Sequence, residues 1–177
     1  MADALVVAGL LCTLINHSDR VKIACFAQLV NVIAPIFTQN GGGMFKQTIF
    51  HPIAAFANNA AGTLSLSTWA DIPVYRSQRF GDAPYIRHAV CYDPQNREYL
   101  VFAVNAGDAA ELLLEFTEAT AFTRHIVLKH PNISQKNSFD APNAVSPVDA
   151  VCASGKNKVF SVDLDAKSFS FMRFSAK

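Results

Sequence analysis

Hydrophobic and polar positions along this chain change rhythm near Gly62. Ahead of that point the spacing is mostly helical. Leu5, Val6, Gly9, Leu10, Thr13 and Leu14 fall on one face of a helix that Asp3 can cap and that the pattern carries to about His17. Val7, Ala8, Leu11 and Ile15 make much of the remaining surface apolar too, the mark of a helix buried in a larger body. After the polar turn His17–Arg20, Val21–Ala27 is apolar on both faces beyond Lys22, which predicts a parallel strand covered on both sides. Thr38–Met44 reads as a flexible loop, and Gln47–Asn59 as a second helix with Pro52 in or near its first turn. Helix, strand, loop, helix is the tail of a repeating β/α architecture.

Beyond Gly62 the period is two. Thr63–Trp69, Tyr85–Tyr92, Glu98–Asn105, Glu111–Phe116, Phe122–Lys129, Lys158–Leu164 and Ser168–Phe174 each read as a strand. Asp93–Asn96 and Asp165–Lys167 carry hairpin-turn residues. Many short strands with turns between them predict an antiparallel β-sandwich. Residues 130–157 form a long polar excursion with three prolines, and a loop of that length has a functional or interface reason. The pattern thus predicts an α/β segment at 1–61, the tail of a repeating β/α architecture, followed by an all-β sandwich at 62–177.

Composition narrows the function classes. Half of the 177 residues are apolar, which suits a sizeable core. A formal net charge of +1, with no basic block and no aromatic–basic interleaving, argues against a nucleic-acid partner. The amino-terminal apolar stretch lacks a basic n-region and is too short to span a bilayer, so neither a signal peptide nor a membrane partner is expected. Cys12, Cys25, Cys91 and Cys152 lie far apart with no CxxC and no zinc spacing, which reads as reduced thiols in a cytoplasmic protein.

Candidate chemistry is sparse. Gln28 and Asn31 stand where the apolar run 21–27 should end, and polar groups at the carboxyl end of a strand are how a β/α barrel builds a substrate site. The chain is far shorter than the roughly 250 residues of such a barrel, so the run looks like the last piece of a larger body. Gln28 could equally be a buried amide satisfied by backbone, and Asn31 reads as a cap or turn residue. Glu111, Glu115 and Glu118 read as a solvated strand edge rather than a catalytic pair. The five histidines show no paired metal spacing. Trp69, Tyr75, Phe80 and Tyr85 could form a sugar platform, but core packing or a barrel–sandwich contact is the stronger expectation.

Several stretches resemble the α-L-arabinofuranosidases of glycoside hydrolase family fifty-one. They are Asp3–Leu11, His17–Ala24, Ala27–Ile36, Gln47–Pro52, Phe102–Asn105, Leu128–Asn132 and Asn137–Asn143, in order along the chain. The resemblance reaches only the carboxyl-terminal third or so of such an enzyme. It implies a retaining exo-hydrolase that removes terminal α-L-arabinofuranosyl residues from arabinan, arabinoxylan and arabino-oligosaccharides, with no metal or organic cofactor. It implies that residues 1–61 are the last β/α unit of a (β/α)8 barrel, with 62–177 the sandwich after it, and that the two catalytic glutamates lie on earlier barrel strands, so the chain holds no catalytic residue and is expected to be inactive alone. By the same resemblance Gln28 matches the family's substrate-binding glutamine after the eighth strand, an amide that donates and accepts at once. The expected partners are the missing amino-terminal barrel portion and, in the intact enzyme, further copies in a homo-oligomer. The alternative is a non-catalytic β-sandwich that binds carbohydrate or braces a partner.

Overall fold

A computed structural model describes residues 1–150 and 153–177; Cys152 lies outside the described residues. Helix α1 spans Ala2–Asn16 and helix α2 spans Phe50–Asn59, close to the sequence reading. Between them lies a small antiparallel hairpin, β1 (Ile36–Thr38) with β2 (Met44–Lys46), where the sequence suggested only a loop. The remaining strands are β3 (Leu64–Leu66), β4 (Val74–Ser77), β5 (Gly81–Pro84), β6 (Ile86–Asp93), β7 (Glu98–Asn105), β8 (Ala110–Leu128), β9 (Val148–Asp149), β10 (Ser154–Leu164) and β11 (Ser168–Ala176). The main sheet runs β10-β8-β11-β7-β6-β3, with β9 beside β8, and its pairings are antiparallel.

The sheet becomes a sandwich by rolling through β8. The first half of that strand pairs with β10, from Ala110↔Leu164 to Glu115↔Val159. Its second half pairs with β11, from Thr120↔Ala176 to Leu128↔Phe169. Register shifts flank the changeover in both pairings, and such bulges bend a strand and sharpen its twist. The two strands expected at 111–116 and 122–129 are therefore one. Thr120 sits buried at the corner and donates from Oγ1 to the Asn157 carbonyl at 3.1 Å.

Period-two alternation sorts the side chains into two cores. Val101, Ala103, Met172 and Phe174 meet Phe116, Phe160, Val162 and Leu164 inside the roll. On the opposite face Leu100, Phe102, Val104, Phe169 and Phe171 pack against Ala4, Leu5, Ala8 and Cys12 of α1 and Phe56 of α2. Strand β7 is covered on both sides, which explains its unbroken apolar run from Leu100 to Val104.

The hairpin turns expected at 93–96 and 165–167 join β6 to β7 and β10 to β11. Asp93 Oδ1 accepts from the backbone N–H of Gln95 at 2.9 Å and of Asn96 at 3.2 Å, the local bonding that makes aspartate a turn residue. The long excursion after Lys129 is an internal clamp. The Ala2 N–H donates to the Ile133 carbonyl at 2.9 Å, and the Met1 amine donates to the Gln135 carbonyl. Buried Asn137 donates to the carbonyls of Lys46 and Val145 and accepts from the Val145 N–H at 2.7 Å.

The strand expected at Val21–Ala27 is not formed. A strand needs neighbours for its N–H and C=O groups, and no strand of the described residues lies alongside. The segment runs through solvent instead, with Val30 making an isolated parallel bridge to Ile36. A final barrel unit is therefore not seen as such.

Candidate functional site

Gln28 lies in this exposed segment and forms no hydrogen bond among the described residues. Its amide is exposed in this chain. Its neighbours are apolar and wet: Ile23 is 82% exposed, Val32 75% and Ile33 70%. Asn31 behaves as a turn residue. It sits at φ 61°, its Oδ1 accepts from the Thr38 N–H at 2.8 Å, and its Nδ2 donates to Thr38 Oγ1 at 3.0 Å. Asparagine tolerates that left-handed backbone; the β-branched Val32 beside it, at φ 62°, does not do so without strain.

Helix α1 repeats the theme. Ala4, Leu5, Ala8 and Cys12 are buried against the sheet, while Val6 and Leu10, one turn apart, face solvent. The aromatic set 69–85 is also outside the core. Trp69 is 91% exposed and Phe80 77%, while Tyr75 and Tyr85 pack on each other with ring centroids 5.0 Å apart. The core role for Trp69 and Phe80 is thereby corrected: the β4–β5 hairpin carrying this region pairs only with itself. Sequence reading missed that hairpin, although Gly81 at φ +73° marks its turn.

The carboxylates are engaged singly. Glu98 pairs with Arg173 at 3.0 Å, Glu111 accepts from Ser161 Oγ, and Glu118 accepts from the Tyr99 hydroxyl at 2.6 Å. Glu111, Leu113 and Glu115 alternate outward on the solvent face of β8. Among the described residues no cluster of three His, Cys, Asp or Glu side chains could hold a metal. Cys12 and Cys91 are buried free thiols, and burial pushes Cys12 up to about 12, far from a reactive thiolate. Cys25 is free and exposed.

The histidines serve turns and packing. His88 Nε2 meets Thr68 Oγ1 at 2.8 Å, and buried His125 meets Ser170 Oγ at 3.0 Å through Nε2. Desolvation holds His51, His88 and His125 below the ordinary imidazole range. The unfolded chain then takes up protons more readily than the folded one. Stability from these rings is complete above an unfolded pKa of about 6.5 and is lost as pH falls through it. Thermal unfolding followed from about pH 7.5 down to about 5.5 is expected to show a falling midpoint. A flat midpoint over that range would show that the three rings charge as freely in the folded state.

Comparison with known proteins decides the family. Residues 1–168 match the family described as the α-L-arabinofuranosidase C-terminal domain. The chain belongs to that family. It is 41% identical over 146 residues to an intracellular exo-α-(1→5)-L-arabinofuranosidase 1 of Bacillus subtilis, covering 81% of this chain and 29% of the relative. It is 43% identical over 139 residues to the corresponding enzyme of Halalkalibacterium halodurans, covering 76% of this chain and 28% of that one. The structure of a family 51 α-L-arabinofuranosidase from Bifidobacterium longum superposes with a TM-score of 0.90 at 33% identity, over 98% of this chain and 34% of that one. The chain thus spans under a third of these curated relatives, and it corresponds to a carboxyl-terminal part of such glycoside hydrolases. The antiparallel sandwich agrees with that family's C-terminal domain. No helix among the described residues is long and apolar enough to cross a membrane.

Proposed function

We propose that this chain is the carboxyl-terminal portion of a retaining α-L-arabinofuranosidase that releases terminal α-L-arabinofuranosyl residues from arabinan, arabinoxylan and arabino-oligosaccharides in the cytoplasm. The observation that carries the reading is the exposed apolar segment 21–33 in a chain that covers under a third of its relatives. On this reading residues 1–61 complete a (β/α)8 barrel encoded elsewhere, 62–177 form the sandwich that braces it, and Val21–Ala27 becomes the eighth strand once a neighbour pairs with it. The exposed Val6 and Leu10 of α1 are then covered by the same body. The intact enzyme assembles as a homo-oligomer. The direct test is hydrolysis of an aryl arabinofuranoside by this chain, alone and joined to an amino-terminal barrel portion.

Gln28 would lie at the mouth of that barrel and hydrogen-bond the sugar hydroxyls, holding the ring for attack. In the joined enzyme, Gln28→Ala is expected to lower kcat/KM by about tenfold to a hundredfold, the cost of one or two substrate hydrogen bonds. The unfolding midpoint should stay unchanged, because the side chain supports nothing in this fold. Unchanged kinetics would remove Gln28 from the site.

The exposed Trp69, Tyr75 and Tyr85 favour a second reading, a non-catalytic carbohydrate-binding module. Retention on arabinoxylan without hydrolysis, in both the chain and the joined protein, would decide for it.

A further inference from the structure

The exposed segment 21–33 is fastened at its far end. Val30, two residues past Gln28, bridges Ile36 of β1. The Asn31 N–H donates to the Ile36 carbonyl at 2.8 Å, and the Ala34 N–H donates to the Asn31 carbonyl at 3.1 Å. The Asn31 side chain closes the same turn, its Oδ1 accepting from the Thr38 N–H and its Nδ2 donating to Thr38 Oγ1. Residues 30–38 thus form a closed loop on the β1–β2 hairpin. Three residues reach at most about 10 Å, so fixing Asn31 confines Gln28 to a small region beside it.

The hairpin is fixed in turn to the sandwich. Buried Phe45 of β2 stacks on Phe37 of β1 with ring centroids 5.3 Å apart, and Phe139 meets it edge-on at 4.8 Å. Asn137, two residues before Phe139, donates from Nδ2 to the Lys46 carbonyl at 2.8 Å and to the Val145 carbonyl at 2.9 Å, and its Oδ1 accepts from the Val145 N–H. Both N–H groups and the oxygen of that amide are therefore used. Val145 itself belongs to the core shared by α1, α2 and the sheet. The Gln47 N–H donates to the Pro35 carbonyl at 2.8 Å, tying the exit of β2 to the entry of β1. A continuous packed and hydrogen-bonded path runs from the sandwich core through Val145, Asn137 and Phe139 to the hairpin. From there it runs through Thr38 and Asn31 to three residues from Gln28.

We propose that the sandwich loop 137–145 and the β1–β2 hairpin form a brace that positions Gln28, with Asn31 and Phe139 as positioning residues that touch no substrate. This rests on the reading of Gln28 as a sugar-binding amide. Misplacing a substrate-holding group by about 1 Å can cost on the order of a hundredfold in rate, and a brace prevents that. A double-mutant cycle in the joined enzyme, on an aryl arabinofuranoside, tests it. Asn31→Gly keeps the left-handed backbone at φ 61° and removes both side-chain bonds to Thr38. It is expected to lower kcat/KM by about fivefold or more, as is Phe139→Ala. Neither should lower it further once Gln28→Ala is present, because nothing is left to position. Asn31→Asp still accepts from the Thr38 N–H and should retain most of the activity. In the 177-residue chain, Phe139→Ala should speed hydrogen exchange at the Thr38 amide by about tenfold, with Val101 in the sheet unchanged.

Losses that add in full to that of Gln28→Ala would overturn the brace, since they would act by another route. So would an unchanged Thr38 exchange rate. A loss in Gln28→Ala with unchanged kinetics in either Asn31→Gly or Phe139→Ala would overturn the brace alone. Unchanged kinetics in Gln28→Ala would remove the sugar-binding reading, and the brace with it.

Discussion

Supplied alone, the 177-residue chain is expected to leave an aryl α-L-arabinofuranoside intact, while the same chain joined to its barrel turns it over. Retaining hydrolysis needs an acid/base carboxyl and a nucleophilic carboxylate about 5–5.5 Å apart around one sugar. The four glutamates of this sequence, at 98, 111, 115 and 118, all lie on β7 and β8. Glu98 is committed to Arg173, Glu118 to Tyr99 and Glu111 to Ser161, and Glu111 and Glu115 both stand exposed on a strand face. An exposed carboxylate pair lacks the dry surroundings that glycosidases use. Enzymes gain about 10⁶-fold or more over the uncatalysed rate, so the contrast between the two proteins should be at least of that order. Turnover by the purified chain alone would remove the basis for assigning catalysis to a separate barrel portion.

The second large effect is on stability. Phe102→Ala should cost about 3–5 kcal/mol. Phe102 is completely buried at the centre of the helix-facing core. It stacks on Phe56 of α2 with centroids 4.0 Å apart and an interplanar angle of 16°, and on Phe171 of β11 at 4.9 Å. Truncation leaves a void that helix and sheet cannot both close, because β7 is held by β6 and β11 on its two sides. Denaturant unfolding measures the loss, and Trp69→Ala provides the control: its side chain is exposed, so its change should stay within about 0.5 kcal/mol. A Phe102→Ala shift as small as the control's would mean that α2 does not depend on this aromatic stack.

The elements that could be read from sequence are those whose partners are local. Both helices are legible because their apolar faces repeat at helical spacing, and the β6–β7 turn because Asp93 bonds its own following backbone. Val21–Ala27 shows the limit of the method: its side chains suit a strand, but a strand is made by a neighbour, and none of the described residues provides one. Strand β8 was read as two because Thr117–Ala121 is short and polar, like a turn. What keeps those residues extended is pairing to β10 and β11: Thr120 opposes Asn157, 37 positions on, and Ala176, 56 positions on. The β4–β5 hairpin gave no alternation, since both of its faces are largely wet. The role of Gln28 came from family resemblance and not from its spacing.

Rolling the sheet through β8 also settles what it shows to other molecules. Among the described residues its margins are β10, β3 and the two-residue β9. The outer stretch of β10 carries Lys156 and Lys158, and β3 is three residues long. Lysines and brevity are the means by which natural sheets discourage intermolecular strand addition. Any clumping of the free chain should therefore start from its greasy amino-terminal third, with the β-layers staying closed to amyloid-like growth.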